Sequence, residues 1–217
     1  MKKLCGLVLA LLMIFGMVGC SGENPTASQD STPTSDTTAD TSIIESSADE
    51  SSTDDLVSNN TSQTLVVYFS CTGNTKEAAE EISQQINADI FEIVPEVPYT
   101  TEDLNYNNDN CRAIQEMNDD SARPAISSQI EDLENYDTVF IGYPIWSGTM
   151  PKIINTLLDT YDFSGKTIIP FCTSGGSGIG TSVSDIKAVE PDANVLDGLR
   201  IRNTSEIAEW LEEVLPE

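Results

Sequence analysis

Ser70, Thr72, Asn74 and Thr75 stand within the six residues SCTGNT, with Gly73 among them. Hydroxyls and an amide at that spacing can surround a phosphate if the backbone turns tightly, as Gly73 permits, and a helix starts behind them. The first turn of that helix offers unpaired N–H groups and the positive end of its dipole, so the loop needs no basic side chain. A second group is Pro144, Ile145, Trp146, Ser147 and Gly148. Trp146, in a loop just past an apolar run, is poorly placed for core packing and suits stacking on a flat aromatic ligand. Gly148 would let the backbone come close. A third group, Thr173, Ser174, Gly175, Gly176 and Ser177, opens the stretch TSGGSGIG (173–180). It can wrap a ring edge with N–H donors, or it is a flexible turn. The first loop matches neither GxxxxGK[ST] nor GxGxxG, so triphosphate and dinucleotide chemistry have no support there.

Each group follows an apolar run of strand length: TLVVYF (64–69), DTVFIGY (137–143) and KTIIPFC (166–172). Between and after them the period changes. Asn74 to Asn87 carries Ala78, Ala79, Ile82 and Ile86 at helical spacing, and Pro151 to Tyr161 and Thr181 to Val189 read as helices. ADIFEIV (88–94) alternates as an edge strand does, and VLDGLRI (195–201) is a weaker last strand. Thr204 to Leu215 closes as an amphipathic helix with Ile207, Trp210, Leu211 and Val214 inward, its start capped by oxygens of Asn203-Thr-Ser-Glu. Strands buried on both faces and separated by helices predict an α/β fold, a doubly wound five-stranded parallel sheet with helices on both faces. In such sheets ligands bind beyond the C-terminal strand ends, where all three groups fall.

Composition narrows the chemistry. The chain has 217 residues, no His, and 36 Asp and Glu against 10 Lys and Arg, a net charge of −26. Without His there is no Ser–His or Cys–His catalysis and no His-ligated metal, and no catalytic or metal-ligating set stands out. Such acidity argues against nucleic acid as a partner and against docking on anionic lipid through a basic face.

Residues 1–19 read as a lipoprotein signal peptide: Lys2 and Lys3, an apolar stretch Leu4 to Val18, then Gly19 before Cys20. MVGC resembles a bacterial lipobox, which makes Cys20 the lipidated first residue of the mature chain, anchored outside the cytoplasmic membrane. Residues 20–62 are the lipidated Cys and an acidic Ser/Thr-rich linker without Lys, Arg or aromatic residues, expected to be disordered, with a reach of roughly 35 Å. Residues 63–217 form the folded domain. Cys71, Cys111 and Cys172 remain there, an odd number that describes no disulfide framework, though one bridge stays open. Cys71, beside a helix start, would have a lowered thiol pKa and could sense redox state, or it simply fills space.

Together the three loops resemble the flavodoxin family, whose phosphate loop S/T-x-T-G-N-T is matched by Ser70 to Thr75. The resemblance covers nearly all of residues 63–217. It implies the strand order 2-1-3-4-5 and FMN as cofactor. By position, Ser70, Thr72, Gly73, Asn74 and Thr75 would hold the FMN phosphate. Pro144, Ile145, Trp146, Ser147 and Gly148 would cover a ring face and meet its N5/O4 edge, and Thr173, Ser174, Gly175, Gly176 and Ser177 would meet the pyrimidine edge. The chain departs from electron-carrier flavodoxins in having no aromatic residue in the third loop, which would leave one ring face open. It also carries what looks like an insertion, Tyr99 to Arg123, with a short helix. Tyr99, Tyr106 and Arg112 could line that face, or the segment is a surface flap. With the lipobox reading of Cys20, the resemblance points to a tethered electron-transfer protein whose partner is a redox protein or a small-molecule donor or acceptor. The runner-up is an FMN-dependent NAD(P)H or quinone reductase working at the open face, and a different class is a flavin-binding or adhesive surface module with no turnover. Acids around the ring would lower its potential.

Overall fold

The computed structural model describes residues 63–215. Residues 1–62, where the sequence reading expects a signal peptide, a lipidated Cys20 and an acidic linker, lie outside the described residues. The elements run β1 (Thr64–Tyr68), α1 (Asn74–Ile86), β2 (Asp89–Glu92), α2 (Arg112–Met117), β3 (Thr138–Pro144), α3 (Lys152–Thr160), β4 (Thr167–Thr173), α4 (Gly180–Val189), β5 (Asn194–Val195), β6 (Leu199–Ile201) and α5 (Ile207–Val214). All strand pairs are parallel, in the order β2-β1-β3-β4-β5, with β6 also on β4. This is the α/β flavodoxin-like sheet expected from the sequence.

The apolar runs are continuous because both faces of the sheet are covered. Leu65, Val67 and Phe69 point to one side, with Val139, Ile141 and Tyr143, and meet Ile153, Ile154 and Leu157 of α3 and Val183 and Ile186 of α4. Val66 and Tyr68 point to the other, with Phe140, Ile169 and Phe171, and meet Ala78, Ala79 and Ile82 of α1 and Ile207, Trp210 and Leu211 of α5. Trp210 stands edge-on to Phe140 at 5.7 Å between ring centres. β2 is the sheet's edge, and its residues are mostly exposed, as the alternation at 88–94 predicts.

Two elements differ from the sequence reading. The last strand is split: β5 pairs with Thr167 and Ile168, β6 with Phe171, Cys172 and Thr173, and the gap lies opposite Pro170. Pro170 has no N–H to give the ladder, so the pairing breaks there. The closing helix begins later than Thr204. Thr204–Glu206 is a 3-10 turn, capped by Asn203 Oδ1, which accepts from Ser205 N at 3.1 Å, and α5 follows.

Candidate functional site

The loops after β1, β3 and β4 meet at the C-terminal edge of the sheet, around one cavity of about 880 Å³. That volume lies within the usual 300–1,000 Å³ of small-molecule sites. Of the residues singled out above, Thr72, Asn74, Pro144, Ile145, Trp146, Thr173, Ser174 and Gly175 line it. Ser70, Gly73, Thr75, Ser147, Gly148, Gly176 and Ser177 belong to the same loops but lie off the wall, each for a visible reason. Ser70 Oγ accepts from Gly73 N at 3.1 Å and closes the first turn. Thr75 is 1% exposed, and its hydroxyl is 2.8 Å from that of Thr173, tying the first loop to the third. Only its backbone N–H remains to offer. Ser147 and Gly148, both at positive φ, form the tip of a hairpin in which Trp146 and Thr149 exchange two backbone hydrogen bonds. That tip presents Trp146 at a fixed angle. Gly176 and Ser177 turn their carbonyls to Arg200.

The start of α1 is open. Gly73 occupies the cap position at φ 89°, and no side chain caps the helix. Its first-turn N–H groups are therefore without helical partners, next to Thr72 and Asn74 on the cavity wall. An anion at this end is favoured by the dipole as well as by those donors. Glu77, in the same first turn, also lines the cavity and partly opposes it.

Trp146 is not the loosely placed loop residue that the sequence suggests. It is 6% exposed and joins the core, edge-on to Phe69 at 5.6 Å and to Tyr99 at 5.1 Å, while still lining the cavity. The insertion, whose short helix is α2, supplies that support. Tyr99 donates its hydroxyl to Glu116 at 2.6 Å, Arg112 lies 2.7 Å from the same carboxylate, and the Arg112 guanidinium covers the Tyr99 ring at 3.9 Å. Tyr99, held by Glu116 and covered by Arg112, thus braces Trp146. Tyr106, by contrast, lies on the cavity wall and is 45% exposed.

Cys71, Cys111 and Cys172 are free thiols. Burial pushes the Cys71 thiol up to about 12, the opposite of the lowering that a helix start would give. Cys71 lines a smaller neighbouring cavity of about 330 Å³ with Thr72, Tyr99 and Leu104. Its redox-sensing reading loses its physical basis.

Sequence reasoning missed Arg200, Arg202, Asn203 and Thr204, which close the cavity from the end of β6. The same rule that nominated the other loops, ligands beyond C-terminal strand ends, would have found them if applied to the weak last strand. The cavity is therefore not free of basic side chains. Among the described residues, no cluster of three or more His, Cys, Asp or Glu could hold a metal ion, and no helix is long and apolar enough to cross a membrane.

An open parallel sheet with a polar loop, a braced Trp and a glycine loop around one cavity defines a class of small-ligand binders. Residues 63–214 match the model of the family described as Flavodoxin, and the chain belongs to that family. Similar solved structures include a candidate flavoprotein of Bacteroides eggerthii, 43% identical, with a TM-score of 0.67, covering 72% of this chain and 99% of its own. A candidate flavoprotein of Bacteroides uniformis is 37% identical, with a TM-score of 0.67, covering 70% and 98%. A flavoprotein of Lactobacillus acidophilus in complex with FMN is 30% identical, with a TM-score of 0.57, covering 69% and 98%. No curated protein matches.

Proposed function

We propose that residues 63–215 bind FMN and serve in electron transfer, on a chain tethered outside the cytoplasmic membrane by lipid on Cys20. The observation that carries the cofactor is the uncapped start of α1, flanked by Thr72 and Asn74, opening into the same cavity as Trp146. A flavin nucleotide asks for an anion site, a flat apolar wall and a polar edge, and the cavity has all three. The first-turn N–H groups with Thr72 and Asn74 would hold the phosphate. Pro144, Ile145 and Trp146 would form the ring wall, and Thr173, Ser174 and Gly175 the polar edge. When bound, FMN supplies one- and two-electron redox chemistry; the protein binds, orients and tunes it. The FMN complex of the relative from Lactobacillus acidophilus supports this choice of cofactor.

The tether rests on Lys2, Lys3, the apolar stretch Leu4 to Val18 and Cys20. The acidic chain suits a basic redox protein or a small-molecule donor or acceptor as partner, and not a nucleic acid.

Titration of the purified protein with FMN, followed by flavin absorption and fluorescence, tests the cofactor. Saturable uptake with quenched fluorescence is expected, and no uptake at all overturns the reading. Fast NADH oxidation with a quinone and no protein partner would replace the carrier with a reductase. For the tether, labelled palmitate should enter the wild-type chain in a bacterial host and not Cys20→Ala; equal labelling overturns it.

A further inference from the structure

Arg200 puts a positive charge on the cavity wall that no carboxylate neutralises. Among the described residues, Arg112 lies 2.7 Å from Glu116, Arg123 2.5 Å from Asp159 and Arg202 3.7 Å from Glu206. Arg200 alone of the described arginines has no carboxylate oxygen within 4 Å. In a chain with 36 acids and 10 bases this is uncommon: among the described lysines, Lys166 is likewise without a carboxylate, but it donates to the Tyr136 carbonyl at 2.7 Å.

The side chain is nonetheless held. Its Nη1 donates to the Gly176 carbonyl at 2.5 Å and to that of Ser177 at 3.5 Å. Its remaining donors have no protein acceptor among the described residues, although a guanidinium carries five N–H groups. Arg200 pairs in register with Cys172 at the end of β4 and is only partly exposed, so its charge is fixed over the start of the third loop. The other charged side chains on the cavity wall are Glu77 and Arg202, and Arg202 is already paired.

We propose that Arg200 sets the reduction potential of the bound cofactor, holding it above the value that the acidic chain would otherwise impose. The proposal rests on the FMN reading. Two electrons delivered by a reductant with fewer than two protons leave a ligand more negative than before. A fixed positive charge on a partly dehydrated wall favours that reduced state over the oxidised one. The exposed carboxylates act in the opposite direction, but salt screens them within about 8–10 Å. Glu77 shares the wall but is exposed, whereas Arg200 is half-buried there and is screened less. A role as a mere brace for the third loop would instead weaken both oxidation states alike.

The test compares wild type, Arg200→Gln, Arg200→Lys and, should the Gln variant fold poorly, Arg200→Met. Potentials are read during dithionite titration against a reference dye, with separate affinities for oxidised FMN and riboflavin. In the neutral variants the preference for reduced over oxidised FMN should fall about tenfold, equal to about 30 mV for a two-electron couple. The Lys variant should keep most of it. An unchanged potential in a variant that still takes up FMN overturns the proposal and leaves FMN binding standing. Equal loss of both oxidation states reduces Arg200 to a brace. Loss confined to FMN over riboflavin, at constant potential, assigns it to the phosphate instead. Absence of FMN uptake by the wild type overturns both readings.

Discussion

Trp146 lines the cavity while its side chain also packs against Phe69 and Tyr99. A residue so placed does two jobs, and replacing it should disturb both. Trp146→Ala should lower stability by about 3–5 kcal/mol, as large aromatic deletions in cores do, measured by urea unfolding of the ligand-free protein. A change below about 0.5 kcal/mol would return Trp146 to the surface. Cys71 gives a second test at this scale. With its thiol pushed up to about 12 by burial, iodoacetamide should label it far more slowly at pH 8 than it labels the unfolded chain. The polar loop was legible from SCTGNT alone, because strand, turn and helix start follow one another in the sequence. The burial of Trp146 was not. Its partner Tyr99 comes from a segment with no periodicity, brought near only by the fold.

At the scale of elements, the insertion after β2 is the unit to test. Glu116 of α2 takes the Tyr99 hydroxyl on one oxygen and Arg112 on the other, and Arg112 also donates to the Val97 carbonyl at 2.8 Å. One carboxylate thus ties the start of the insertion to its helix. Glu116→Gln keeps the shape and loses the charge, and should cost about 1.5–3 kcal/mol by denaturant midpoint. It should also raise the accessibility of Trp146 to a fluorescence quencher. An unchanged midpoint would mark the insertion as a loose flap. Most other elements were readable, since β1, β3 and β4 announce themselves by apolar runs and α1 and α5 by helical spacing. The split between β5 and β6 was hidden, because its cause, Pro170, lies in the neighbouring strand. That same weak last strand concealed Arg200 and Arg202.

For the molecule as a whole, ionisation in alkali is the clearest lever. Burial raises the thiols of Cys71 and Cys172 to about 12, and raises the phenols of Tyr68, Tyr99 and Tyr143 above their ordinary value as well. These groups are neutral when protonated. In the unfolded chain the thiols ionise near 9.0, while the folded protein keeps them neutral. Their contribution is thus complete below that pH and is lost as pH climbs towards about 12. Thermal midpoints should decline steadily across that interval, and less steeply in Cys71→Ala; a flat profile would contradict the burial. The hydroxyl bond between Thr75 and Thr173 joins residues 98 positions apart. A nascent chain that has made β1 and α1 owns the first loop but not the cavity, which waits for β3, β4 and β6 to be laid down. Ligand capture is then a late event, and added ligand should slow global unfolding rather than protect the first hairpin-sized piece.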